Sequence, residues 1–385
     1  MRFEFATASR IVFGLGAVRE VAPAASKFGK HALLVTGRST GRAAPLAEDL
    51  RTSGLALSMF PVDGEPTLEM IRRGDDLARS NGCDLVVSFG GGSAIDAGKA
   101  IAALLANGGD LLDYLEVIGA GKPLPLPSAP FIAVPTTAGT GSEVTRNAVL
   151  SSPEHHVKVS LRSPLMLPRL AVVDPELTLD LPPAVTAHTG LDALTQLIEA
   201  FVSARANPMT DGLCREGIKR AARSLRRAYH DGHDIEARSD MAVASLLSGL
   251  ALANAGLGVV HGFAGPIGGM FPAPHGTICA ALLPHGMQVN IQVLQERTPE
   301  SEALRRFGEV AAMLTGRASA RAEDGIDWVR GVCDELSIPS LRSYGIGTEN
   351  ISVLVEKASC ASSTKGNPVQ LSPEEMRDVL IAALA

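Results

Sequence analysis

Two hydrophobic periodicities divide the chain. Up to about residue 180, short apolar runs alternate with amphipathic stretches. The segments "HALLVTG" (31–37), "DLVVSFGGG" (84–92) and "FIAVPTTAGTG" (131–141) are apolar or β-branched runs that lead into glycine. Such continuous runs are what strands buried on both faces require. Between them, residues 43–53 and 67–81 carry apolar positions at helical spacing. The alternation predicts a parallel sheet with helices on both faces. Ligands of such sheets sit outside the carboxyl ends of the strands, so the three glycine-rich turns are expected to face one cleft.

Beyond residue 180 the helical period takes over, in 184–204, 208–229, 234–255, 299–315 and 373–385, and strand signals become rare. The Pro-rich "VDPELTLDLPP" (173–183) makes a natural linker. The predicted architecture is an α/β domain over residues 1–180 and an all-helical domain over 181–385. A chain of 385 residues suits two domains. The run 241–260 carries no charge, but its two serines, asparagine and three glycines predict a buried core helix rather than a membrane span.

Composition narrows the setting. Apolar residues make up 46% and charged residues 20%, and the net charge is -6. That balance disfavours nucleic acid and anionic membranes as partners. Five scattered cysteines without a CxxC pair predict free thiols in a reducing cytoplasm. The opening "MRFEFATASRIVFGLG" lacks an apolar h-region, which predicts no signal peptide.

Three segments carry candidate chemistry. In "SFGGGSAIDAGKA" (88–100), Gly90, Gly91 and Gly92 allow close approach to a phosphate, and Ser93 is a good N-cap and phosphate donor. Asp96 and Lys99 follow in the opening turns of the helix. "PTTAGTGSEVT" (135–145) offers Thr136, Thr137, Thr140, Ser142 and Thr145 among glycines at a strand end. "HGFAGPIGGMFPAPHG" (261–276) places His261 and His275 on a Gly/Pro-rich connector, downstream of Asp192 and Gln196. Asp, His and His form a reasonable three-ligand set for a divalent cation with an open position. Each segment alone also admits a plainer reading: a tight strand–helix connection, a polar surface loop, structural histidines.

Taken in order, "RIVFGLGAV", "GGGSAIDAGKA", "PTTAGTGSEVT", "KVSLRSPLMLPRLAVVDPELT", "TGLDALTQLIEAFVS", the His261–His275 segment and "NPVQLSPEEM" resemble the iron-containing (group III) alcohol dehydrogenases along nearly the whole chain. The resemblance implies a dehydroquinate-synthase-like fold: an N-terminal nucleotide-binding domain, a C-terminal helical domain and a divalent metal in the cleft between them. It implies NAD(P)-linked oxidation of a small alcohol, or reduction of an aldehyde or ketone. It also implies a homo-oligomer, such as a dimer. The pyrophosphate is expected on residues 90–93, with Asp96 toward the nicotinamide and Thr136, Thr137, Thr140 and Lys158 on cofactor-contacting positions.

The family's Asp, His, His, His ligand set falls on Asp192, Gln196, His261 and His275, with Asp192, His261 and His275 as its catalytic core. Gln196 is a departure, and so is Gly265, where the family often has a proton-relay histidine. Two outcomes follow. Gln196 ligates through its amide oxygen, weakening iron or zinc and costing manganese less. Otherwise the metal is gone and Gln196 hydrogen-bonds the substrate. The survival of Asp192, His261 and His275 favours the first. At the end of the first strand, Gly37 stands where NAD-specific relatives tend to carry an acid, followed by Arg38, Ser39 and Thr40; this favours NADP over NAD. Glu65 stands where the family commonly has Asn near the adenosine. Rival readings are a maleylacetate-reductase-like enzyme on an acidic substrate, against which the absence of Arg and Lys from 261–275 argues, and a non-catalytic NAD(P)-binding homologue.

Overall fold

The computed structural model describes residues 2–384; Met1 and Ala385, the ends of the two expected domains, lie outside the described residues. Two compact units form. One comprises Ala6–Thr137 and Gly141–Leu179; the other runs from Asp180 onward and takes in Ala138–Thr140 and the N-terminal residues up to Phe5.

The strands of the first unit are β1 (Ile11–Phe13), β2 (His31–Gly37), β3 (Ala56–Val62), β4 (Leu85–Gly90), β5 (Phe131–Pro135), β6 (Asn147–Ser152), β7 (Val157–Arg162) and β8 (Leu170–Val173). Six of them make a parallel sheet in the order β1-β8-β5-β4-β2-β3, and β6 and β7 pair as an antiparallel hairpin. Helices α1 (Val21–Ala25), α2 (Ala44–Thr52), α3 (Leu68–Ser80), α4 (Gly92–Asn107) and α5 (Leu111–Tyr114) complete the unit. Alternate strand residues serve opposite faces. Leu33, Val35 and Val86 pack with Ile71 of α3 and Ile101 of α4. Leu34, Leu85 and Val87 pack with Val21 of α1 and Leu50 of α2. Double-sided burial is why these strands read as continuous apolar runs. β3 escapes that pattern because it is the sheet edge, where Ser58 and Pro61 are tolerated.

Strand order reverses between β2 and β4. From β2 the chain steps outward to β3, then returns past β2 to β4 and continues to β5 and β8. In doubly wound sheets the ligand crevice opens at such a reversal, outside the carboxyl ends. Gly37 ends β2 and Gly90 ends β4.

The second unit is helical: α6 (Pro183–Val202), α7 (Pro208–His230), α8 (Ile235–Ala255), α9 (Val259–Met270), α10 (His275–Arg297), α11 (Glu302–Thr315), α12 (Ala322–Glu335), α13 (Ile351–Cys360) and α14 (Pro373–Leu384). The uncharged run 241–260 is not one helix. It breaks at residues 256–258, where α8 and α9 meet at 99°. Among the described residues no single helix is long and apolar enough to cross a membrane. Met241, Ala244 and Ala251 of α8 are core residues.

The expected Gly/Pro-rich connector between His261 and His275 is mostly helix, α9, with Pro266 inside it. Two side chains from distant segments explain why. Asn367 Oδ1 accepts from Val259 N at 3.0 Å, and Glu199 Oε1 accepts from Val260 N at 2.8 Å. They satisfy N–H groups that a helix start leaves open. Phe263, Ala264 and Ile267 are then buried in a core shared with α13 and α14.

Candidate metal centre and nucleotide cradle

In the sheet unit, three chain segments close on one point. A Cβ on Gly90 would lie 2.6 Å from Ala94 Cβ and 3.2 Å from Gly37 N; one on Gly91 would lie 3.3 Å from Thr137 Cγ2. Thr136 N donates to Gly90 O at 2.9 Å. The ends of β2, β4 and β5 therefore meet so tightly that a side chain on Gly90 would collide and one on Gly91 would crowd Thr137. The sequence predicts Ser93 as the cap of α4, but Gly91 takes that place, extended at φ -74, with no side chain capping it. The strand ends one residue earlier than a serine cap would need, so Ser93 falls in the first helical turn. The opening N–H groups, Gly92 and Ser93 among them, lack a side-chain acceptor and form a site suited to an anion.

Asp96 and Lys99 both make contacts within the sheet unit. Lys99 is fully buried and donates to Ser142 O at 2.8 Å, Thr145 Oγ1 at 2.9 Å and Asn147 O at 2.6 Å. Asp96 Oδ2 accepts from Val149 N at 3.0 Å. Together they pin α4 to β6 and the segment that leads into it. Lys158 is also engaged: its Nζ lies 2.9 Å from Glu65 Oε1, with the lysine side chain 5% exposed. Gly37 has open space where a Cβ would stand. Arg38 is exposed, 3.8 Å from Asp63. Thr140 belongs to the short 138–140 segment that packs with the helical unit, where a Cβ on Gly139 would meet Thr189 Cβ at 2.7 Å.

In the helical unit, Asp192, Gln196 and Glu199 occupy positions i, i+4 and i+7 of α6, one face of the helix. His261 stands in the first turn of α9, His275 opens α10, and Cys279 follows one turn later. Their donor atoms converge: Asp192, His261, His275 and Cys279 each present an atom within 4.8 Å of the others. Asp192 Oδ1 lies 3.4 Å from His261 Nε2 and 3.6 Å from His275 Nε2. Cys279 Sγ lies 3.7 Å from both nitrogens. On the far side of its ring, His261 Nδ1 donates to Glu199 Oε2 at 2.6 Å. That contact leaves the Nε2 lone pair aimed at the cluster, the arrangement by which a carboxylate orients a metal-binding imidazole.

Electrostatics fit a cation. Asp192 is 1% exposed, and its Oδ1 makes no hydrogen bond. Burial alone would raise the Asp192 carboxyl, but His275 and His261 outweigh it and hold it below its usual range. Burial would lower both imidazoles, yet Cys279 and the acids around them raise His261 well above its ordinary value and raise His275 too. A buried, orphaned carboxylate oxygen beside two nitrogens and a sulfur is a donor set that a divalent ion satisfies. His275 is 34% exposed, so the cluster is open on that side.

Gln196, expected as a ligand, lies beside the cluster. Its Nε2 donates to Asp192 Oδ2 at 3.3 Å and its Oε1 accepts from Ser248 Oγ at 2.8 Å. Both amide atoms are engaged, Nε2 on the Asp192 oxygen opposite to Oδ1 and Oε1 on Ser248. Gly265 has open space where a side chain would stand. The backbone of His188 lies against the start of α10, where a Cβ on Gly276 would meet His188 O at 2.4 Å; burial lowers its imidazole.

Three contributors are missing from the sequence expectations. Glu199 and Cys279 had a signal, helical spacing from Asp192 and from His275. Asn367, the cap of α9, had only its place in "NPVQLSPEEM".

Residues 8–175 match the family model for iron-containing alcohol dehydrogenase, and residues 186–384 match the model for the C-terminal part of the Fe-containing alcohol dehydrogenase family. The chain is 38% identical over 370 residues to Alcohol dehydrogenase 4 of Saccharomyces cerevisiae (strain YJM789), covering 94% of each chain. It is 35% identical over 379 residues to the NAD-dependent methanol dehydrogenase of Bacillus methanolicus, covering 97% of each. The crystal structure of a 1,3-propanediol oxidoreductase superimposes over 100% of both chains with a TM-score of 0.90 and 35% identity. With both halves matched by one family's models, and full-length relatives carrying the same parallel-sheet and all-helical domains, this chain belongs to the iron-containing alcohol dehydrogenase family.

Proposed function

We propose that this protein is a metal-dependent, NAD(P)-linked alcohol dehydrogenase that interconverts a small alcohol and its carbonyl. Family membership supplies the reaction class, an oxidoreductase acting on CH–OH. The observation that carries the metal is the convergence of Asp192 Oδ1, His261 Nε2 and His275 Nε2 with Glu199 fixing His261 from behind. A divalent ion there supplies Lewis acidity toward the substrate oxygen. Bound nicotinamide supplies the hydride acceptor.

The chain's own residues do the rest. The glycine turn at 90–92 and the uncapped start of α4 receive the cofactor's pyrophosphate, with Thr136 and Thr137 beside it. Asp96 and Lys99 hold α4 in place. Asp192, Glu199 and Gln196 set the anionic side of the centre, and the exposed edge of His275 faces the entry. Gly265 contributes no acid or base, so the substrate proton leaves through solvent on that open side. Gly37 and Arg38 favour NADP: no carboxylate repels a 2′-phosphate, and the exposed guanidinium is able to pair with it. A cytoplasmic homodimer belongs to the same proposal.

The test is a panel of small alcohols and aldehydes assayed with both nicotinamide cofactors, on wild type and Asp192→Ala. Turnover on at least one pair, reduced ~100-fold or more in the variant, is expected. Cofactor binding without turnover on any substrate would instead identify a non-catalytic homologue.

A further inference from the structure

We infer that Cys279 is the fourth protein ligand of the metal centre, its thiolate standing in for the imidazole replaced by Gln196, while Gln196 positions Asp192 from the second carboxylate oxygen. The inference rests on the reading above that the cluster holds a divalent ion. It changes which atoms hold that ion and what ion they select.

Distances carry it. An ion with bonds of about 2.05 Å to nitrogen, 2.1 Å to oxygen and 2.3 Å to sulfur sets near-tetrahedral edges of about 3.4 Å for N···O and about 3.6 Å for N···S, and a substrate oxygen would enter as a fifth donor. The observed N···O separations are 3.4 and 3.6 Å, and both N···S separations are 3.7 Å. Hydrogen bonding satisfies only part of the same set. Cys279 has one proton and two imidazole neighbours at equal distance. The Nδ1 proton of His261 is committed to Glu199, and Asp192 Oδ1 receives no hydrogen bond. Cys279 is fully buried, so its sulfur faces these donors and not solvent. On ligation the thiol proton passes to solvent and the S–metal bond takes its place.

Local structure brings Cys279 to the cluster. His275 and Cys279 are i and i+4 on α10, neighbours on one face. Asp192 and Gln196 have the same relation on α6, but the amide turns to Asp192 Oδ2 and Ser248. A centre of one oxygen, two nitrogens and one sulfur is softer than the Asp–Gln–His–His set expected from the sequence. It favours zinc and disfavours manganese and magnesium.

Cobalt(II) reports thiolate ligation directly. Chelator-stripped, desalted protein is titrated anaerobically with cobalt(II), with bound metal measured by elemental analysis. Wild type is expected to develop an intense near-ultraviolet thiolate-to-cobalt band that saturates at one equivalent. The band should vanish in Cys279→Ser and persist in Gln196→Ala. One bound cobalt without that band, or a band that survives in Cys279→Ser, overturns the assignment while leaving the metal site in place. No bound cobalt overturns the metal reading itself, and the ligand assignment with it. Should Cys279→Ser fail to fold, X-ray absorption of zinc-loaded wild type decides alone: a sulfur scatterer at ~2.3 Å supports the assignment, and a shell of nitrogen and oxygen only defeats it.

Discussion

Glu199 does two jobs with two oxygens. Oε1 accepts from the backbone of Val260, and Oε2 accepts from the His261 ring. Replacing it by glutamine keeps an acceptor for the helix start and removes the negative charge behind the imidazole. Glu199→Gln is therefore expected to lower metal affinity ~10–100-fold, read by competition with a chromophoric chelator, while the unfolding free energy changes little. Equal affinity in the variant would mean that His261 needs no such partner. In the sheet unit, the Lys158 ammonium is paired with Glu65. Glu65→Asn releases that cation toward the cofactor, and KM for the nicotinamide cofactor should fall; a rise would show the pair to be part of the binding surface. Gly37→Asp places a carboxylate where open space exists. It should shift kcat/KM from NADP toward NAD, and an unchanged ratio would separate Gly37 from cofactor choice.

At the scale of elements, α9 is one that sequence patterning reads wrongly, and the cause is physical. Pattern reading hears glycine and proline as punctuation. Here the helix start is held by Glu199 from α6 and by Asn367, 108 residues further along. No local window contains those partners. Gly258 exists to admit them: a Cβ there would lie 2.7 Å from Glu199 Oε1 and 2.9 Å from Asn367 Oδ1. Gly258→Ala should cost ~1–3 kcal/mol in chemical denaturation, as overpacking does. Because it displaces Glu199, metal affinity should fall too. A variant with wild-type stability would show that the helix start does not depend on these caps. Strand β2, by contrast, is legible from its sequence, because burial on both faces leaves no position for a polar side chain between His31 and Thr36. Cys279 was within reach of the sequence as well. The i, i+4 spacing that singles out Asp192 and Gln196 also joins His275 to Cys279, but counting cysteines as scattered thiols hides it.

At the scale of the whole molecule, stability is linked to pH through a buried acid in the loop after β5. Burial pushes the Glu143 carboxyl up from 4.5 to about 7, against the pull of its own backbone N–H and of Lys99. The folded state therefore holds a proton that the unfolded chain releases above its own, lower pKa. Stability is greatest below pH 4.5 on this account and falls as pH rises toward 7. A shift of that size amounts to about 3 kcal/mol across the window. The difference between wild type and Glu143→Gln in guanidinium unfolding isolates this group from other titrations. Wild type should lose stability relative to the variant across the window; a constant difference would contradict the burial of an acid there.

The central claim is that alcohol oxidation here depends on an ion held by Asp192, His261, His275 and their neighbours in the helical unit. Its most direct test is a metal titration of turnover. Protein is stripped of metal, then reconstituted stepwise with zinc under anaerobic conditions, with bound zinc and alcohol-dependent nicotinamide reduction measured on the same samples. Stripped protein should show negligible turnover, and activity should rise linearly until one zinc is bound per chain. Full turnover in protein shown to carry no metal would contradict the central claim.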